Sequence, residues 1–205
     1  MRNESLSAIS NFAVAHLTSY TEKSKYSSID KKKMILGMEI LLINLSKGFV
    51  IYGGALLLGC FFKTLAIHLA FAATKRYSYG LHAKHSAVCT IYSFTIFVLL
   101  TYVTPFIPIN NVIALSIFAL IITMHVKYAP ADTQARPIIG ANRRRYLKRM
   151  SVSMVIVLMI FTMTVPYIEL KTLFVLGAVC QTISILPITY RILERRERNY
   201  EIYEQ

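Results

Sequence analysis

Within "YSYGLHAKHSAVC", Tyr77 to Cys89, two imidazoles and a thiol lie close together: His82, His85 and Cys89. Three kinds of chemistry are open to such a group. As structural residues, the histidines are basic anchors and the cysteine is a small apolar residue opening a helix, since buried thiols are usually inert. As metal ligands, the three could hold a catalytic zinc with one open position, although no acidic pair or second cysteine cluster accompanies them. As base and nucleophile, His82 could activate Cys89, with Lys75, Arg76 and Lys84 adding positive field.

Spacing constrains the third reading. Seven residues along an ideal helix put His82 and Cys89 on one face but about 10.5 Å apart along the axis. A working pair needs about 3–3.5 Å. The base-and-nucleophile reading therefore demands a bend in the backbone, and Gly80, just before His82, is the residue suited to a break near the membrane surface. Spacing alone leaves all three readings open.

The elements that carry this stretch are apolar. The 205 residues are 55% hydrophobic and only 16% charged, with a mean hydropathy of +0.51. A soluble domain carries about 25% charged residues, so the composition predicts an integral membrane protein. Continuous apolar runs select helices over a barrel, because each helix pairs its own backbone groups in lipid. The expectation is an all-α polytopic protein with about six transmembrane helices and an N-terminal amphipathic helix. Three cysteines, Cys60, Cys89 and Cys180, argue against a disulfide framework. The opening "MRNESLSAISNF" does not read as a signal peptide.

Residues 1–33 read as an interfacial segment in which Leu6, Ile9, Phe12, Ala13 and Leu17 recur at helical spacing. Residues 34–190 hold the six runs, the first two (34–74) joined by a turn at Gly53 and Gly54. Segment 75–90 carries the His/Cys group, and 127–149 is a basic loop. Residues 191–205 form a charged tail, read as helical. Lys and Arg number six, three, seven and four in the N-terminal region, 75–85, 127–149 and the tail, against none, none and one in the other connections. That alternation predicts both termini in the cytoplasm. It also assigns the net charge of +13 to topology and anionic lipid rather than nucleic acid. Among intramembrane polar residues, Glu39 reads either as site-supporting or as an ion pair with Lys47, Lys63 as snorkelling, and His125 as interfacial.

Three stretches then match in order. "KRYSYGLHAKHSAVC" is similar to the Arg-x3-Gly-x-His-x6-Cys signature of the accessory gene regulator B membrane endopeptidases of Gram-positive quorum sensing. "YAPADTQARPI" resembles that family's Tyr-Ala-Pro-Ala loop, and "LGMEILLINLSK" its first span. The resemblance implies that His82 and Cys89 are the catalytic pair and His85 a bystander. It implies a cysteine endopeptidase of the cell membrane, without metal or cofactor, and a homodimer. Its partner would be an AgrD-like precursor with an amphipathic leader, a central Cys or Ser and an acidic tail. Site-supporting or substrate-binding residues would be Arg76, Gly80, Glu39, Asn44, Arg136, Arg143 and Arg144. In the basic loop the family's lysine run is replaced by "TQAR" and "RRR". The rival reading is a small polytopic transporter or scaffold with non-catalytic His and Cys.

Overall fold

The computed structural model describes residues 4–19, 27–81, 86–134 and 137–204, with backbone alone at 4–7, 17–19, 28 and 86–88. Among them the regular structure is helical: α1 Glu4–Ser19, α2 Ser28–Leu57, α3 Phe61–Ser78, α4 Ser86–Val103, α5 Asn111–Tyr128, α6 Ala141–Thr164, α7 Ile168–Ile185 and α8 Pro187–Ile192. Short 3-10 turns follow α4 at Thr104–Phe106 and α8 at Asn199–Ile202. The chain forms two compact units, residues 1–54 and 55–205, with the boundary inside α2.

In the first unit, the Ser10 hydroxyl donates to Glu39 Oε1 at 3.4 Å, and both residues are buried. Val14 is buried as well, whereas Ile9 and Phe12 on α1 are exposed. Those two apolar groups suit an interfacial helix.

In the second unit α3 packs against α7 and α6, and α5 against α6 and α7. The core joins Ile67 and Ala70 of α3 with Phe118 of α5, Val155 of α6 and Leu173 and Val175 of α7. Small residues let α3 and α7 approach closely, as membrane helices commonly do. A Cβ at Gly177 would lie 2.5 Å from Ile67 O and 2.8 Å from Ala70 Cβ. Outward faces carry bare apolar groups such as Phe62, Leu69 and Val112.

Among the described residues, five helices are long and apolar enough to cross a membrane: 29–57, 89–106, 111–128, 141–164 and 168–185. The protein is therefore all-α and multi-pass. The difference from about six is α3, which matches α4 in length but carries Lys63, Lys75 and Arg76. Lys63 does more than snorkel, because it pairs with Glu169 at the foot of α7. Lys171 likewise donates to Asn111 Oδ1.

Three boundaries differ from the sequence expectation. Gly53 and Gly54 stay inside α2, and the turn falls at Leu58–Cys60, where Gly59 has φ +68°. Glycine without flanking polar residues does not end a helix whose backbone has no water to turn to. The 127–149 region is a loop only in part, since α6 begins at Ala141 and takes in Arg143, Arg144 and Arg145. The tail leaves α8 at Ile192 and forms turns instead of continuing as a helix. His125 is a further correction: it is fully buried, with Nδ1 2.8 Å from Ser151 Oγ and Nε2 3.3 Å from Thr182 Oγ1. It joins α5, α6 and α7 inside the bundle.

Gly177→Val should force α3 and α7 apart and destabilise the protein by about 1–3 kcal/mol or more. Gly37→Ala, where nothing lies within 4 Å of the added atom, should not destabilise the protein and should add up to about 1 kcal/mol of helix stability. Thermal unfolding of both variants in detergent checks this.

Candidate active site

The segment leading to His82 leaves α3 abruptly. Tyr79 has φ +58° and ψ −122°, a region that residues with a side chain rarely enter, and Gly80 follows with φ +103°. Two such residues in a row reverse the chain, and the neighbours hold it there. Gly80 N donates to Ala131 O at 2.8 Å, and Ala131 N to Ser78 O at 2.9 Å. Leu81 N donates to Ser184 O at 3.1 Å. Gln181, fully buried, donates from Nε2 to Ser78 Oγ at 2.8 Å and to Tyr79 O at 2.7 Å. A Cβ at Gly80 would lie 2.5 Å from Ser184 Oγ and 3.1 Å from Ser184 O. Both the dihedral and the close approach therefore call for glycine.

Ala131 belongs to the Tyr-Ala-Pro-Ala stretch that closes α5. Ala129 N caps the helix on His125 O at 3.0 Å, and the Ala129–Pro130 bond is cis. Asp132 is buried and clamps the returning tail. Its Oδ1 accepts from Asn199 N at 2.9 Å and its Oδ2 from Tyr200 N at 2.8 Å, while Tyr190 donates to its backbone O at 2.9 Å. Burial, chiefly, together with the negative charges of Asp132 and Glu197, pushes the Tyr190 phenol well above its usual range.

A second clamp fixes the end of the tail. Arg144 donates from Nη1 and Nη2 to the two Glu204 oxygens at 2.6 and 2.8 Å, and lies over the Tyr200 ring with its guanidinium carbon 3.9 Å from the centroid. Gly140 N adds a 2.7 Å bond to Glu204 Oε1. The Arg144 hydrogen bonds, then the Gly140 N–H, hold the Glu204 carboxyl down to about 2. Beside this clamp lies a cavity of about 430 Å³ whose walls include Ala129, Ala131, Tyr190 and the cations Lys127, Arg145 and Lys148. No acidic partner engages Arg145 or Lys148 among the described residues.

The structure places the sequence-selected residues unevenly. Cys89 stands in the first turn of α4, partly exposed. His82 and His85 lie outside the described residues, as does Arg136. Gly80 is central to the bend. Arg76 is exposed and lies over the Tyr77 ring, with its guanidinium carbon 5.7 Å from the centroid. Arg143 is exposed, and Arg144 is taken by the tail. In the first unit, Glu39 accepts from Ser10 and makes no ion pair with Lys47 among the described residues, and Asn44 is exposed. Sequence reasoning passed over Gln181, Ser184, Asp132 and Glu204. Gln181 and Asp132 were legible only as polar residues in or beside apolar runs.

Comparison with known proteins follows the same motifs. Residues 10–185 match the family model described as accessory gene regulator B. An AgrB-like protein of Listeria innocua serovar 6a is 43% identical over 172 residues, 84% of each chain. An AgrB-like protein of Clostridium acetobutylicum is 38% identical over 181 residues, 88% of this chain and 87% of its own. The accessory gene regulator protein B of Staphylococcus intermedius is 35% identical over 167 residues, 82% of this chain and 88% of its own. No solved structure matches.

Gly80→Ala should strain the bend by roughly 1–3 kcal/mol and lower the unfolding temperature in detergent. The tail clamp should show a distinct pH dependence. Because Glu204 titrates below the usual carboxylate value, its contribution is complete above about 4.5 and fades only as pH falls toward about 2. Hydrogen exchange at Asn199–Tyr203 should stay slow down to mildly acidic pH. In Glu204→Gln it should already be fast at pH 7.

Proposed function

The chain belongs to the accessory gene regulator B family, and from that membership we propose that it is a membrane cysteine endopeptidase acting on a short pheromone pro-peptide. Its setting is the accessory gene regulator quorum-sensing system. The observation that carries the reading is the backbone pairing of Ser78–Gly80 with Ala131. It joins the Arg-x3-Gly-x-His-x6-Cys stretch to the Tyr-Ala-Pro-Ala loop, about fifty residues apart in sequence. It also ends α3 at Ser78, four residues before His82.

In this mechanism His82 takes the proton of Cys89, and the thiolate attacks the carbonyl that joins pheromone core to tail. The peptide C–N bond breaks, the amine of the tail leaves with a proton from His82, and an acyl-enzyme thioester remains. The precursor's own Cys thiol displaces Cys89, giving a thiolactone and restoring the enzyme thiol. One thioester is exchanged for another, so the step is nearly isoenergetic and requires no ATP. Hydrolysis would forfeit that energy. The site must therefore hold the internal thiol close, where effective molarity favours it, and exclude water.

The basic end of the second unit suits the acidic tail of such a precursor. Arg145, Lys148 and Lys127 line an open cavity, and electrostatic steering toward them would raise the encounter rate. Arg144 is a poorer choice than its neighbours, being occupied by Glu204. By the positive-inside rule this end faces the cytoplasm, where the precursor is made.

Co-expression with the precursor, read by mass spectrometry, tests the proposal. Cys89→Ala and His82→Ala should each abolish release of the tail, a loss of about a thousandfold or more, while membrane levels stay normal. Undiminished processing by Cys89→Ala would leave the chain a transporter or scaffold. Inhibition by chelators but not by iodoacetamide would return the metal reading.

A further inference from the structure

Gln181 is a carboxamide at 0% exposure inside an otherwise apolar bundle, and its orientation is fixed by its partners. Tyr79 O can only accept, so the amide nitrogen must face it. The Ser78 hydroxyl is already spent as a donor on Thr74 O at 2.8 Å, so its oxygen also accepts from the same nitrogen. Both N–H groups are therefore committed to the last turn of α3. Among the described residues Gln181 Oε1 is left buried with no hydrogen-bond partner, an arrangement that folded proteins seldom keep. Packing alone would be served better by leucine.

The bonds fall where the backbone is most strained. Tyr79 and Gly80 both have positive φ, and the residue after Leu81 is His82. Gln181 and Ser184 are three apart on α7 and share a face, so one helix surface receives Ser78, Tyr79 and Leu81 in sequence. Strain of this kind persists only when neighbours over-determine it, and it gathers at functional sites.

We propose that Gln181 is a positioning residue, whose two N–H donors hold the Ser78–Tyr79 turn and so fix the chain three residues before the proposed base, His82. The inference rests on the cysteine endopeptidase reading above. Its effect is on turnover, not on precursor binding, because it touches neither precursor nor reacting atoms.

The test uses the full chain in proteoliposomes with the precursor peptide. Gln181→Leu, close in volume and without donors, should bind precursor within about twofold of the parent and cleave it about tenfold to a hundredfold more slowly. Alkylation of Cys89 by iodoacetamide at neutral pH should slow in parallel. Thr182→Val, which removes the neighbouring buried contact with His125, should leave both unchanged, separating position from general stability. If Gln181→Leu does not accumulate, Gln181→Glu is measured instead, with the same loss of turnover expected. Parent-rate cleavage by the measured variant overturns the inference, as does a loss that only tracks the amount of folded protein. Should Cys89→Ala and His82→Ala also cleave normally, the endopeptidase reading itself has failed. Should they be inactive while the Gln181 variant is not, only the role of Gln181 has failed.

Discussion

Leaving a helix within a membrane protein exposes backbone groups that lipid cannot satisfy, and the turn after α3 shows how this chain meets that constraint. Each polar backbone group from Tyr79 to Leu81 with a defined bond finds a partner from a different source. Tyr79 N–H closes on Lys75 O, Gly80 N–H on Ala131 O and Leu81 N–H on Ser184 O. Ser78 O receives Ala131 N–H, and Tyr79 O receives the Gln181 amide. Three distant parts of the sequence are thereby tied at one point. The His/Cys stretch, the Tyr-Ala-Pro-Ala loop and the end of α7 cannot be placed independently of one another.

Helix α7 is the template for this arrangement. Gly177, Gln181 and Ser184 succeed one another at four and three residues, a single stripe on one helix face. Gly177 lets the α3 backbone come within contact, and Gln181 then receives the end of that helix. Ser184 takes the first residues beyond it. A close crossing is what brings the Gln181 side chain and the Ser184 carbonyl within hydrogen-bond reach of the chain at the end of α3. Removing the stripe would therefore disturb the proposed site even though no member belongs to the His/Cys pair. On the opposite side of α7, Thr182 meets His125, so the same helix also binds α5 and α6.

Local signals were legible in the sequence and long-range ones were not. Apolar runs revealed the spans, because every residue in them carries the signal independently of its neighbours. Gly80 could be picked out because a working His82–Cys89 pair would require a bend in the chain. By contrast, Gly53 and Gly54 looked like a turn, but helix continues through them and Gly59 takes the positive φ. Nothing in a run of apolar residues tells which glycine has a partner-free backbone behind it. Arg143–Arg145 read as loop because they are charged, yet arginine is a good helix former and α6 simply extends to include them. Gln181 and His125 were polar residues whose partners lie 26 to 103 positions away, beyond any spacing rule.

The proposed chemistry makes opposite demands on its surroundings. Attracting an acidic peptide calls for exposed cations in water, while protecting a thioester calls for water to be kept out. Under the proposed function these tasks would fall to different places in the fold. Lys127, Arg145 and Lys148 stand around an open cavity at the ends of α5 and α6, and Cys89 is not part of its wall. Cys89 sits instead in the first turn of α4, where the chain re-enters the apolar bundle. The connection between the two is the pairing of Ala131, in the cavity wall, with Ser78 and Gly80 on the way to His82. Charge at the cavity can thus be strong without being carried to the thiol. The Arg144–Glu204 pair ties one cation of the cavity wall to the tail, while Arg145 and Lys148 meet no acidic partner among the described residues.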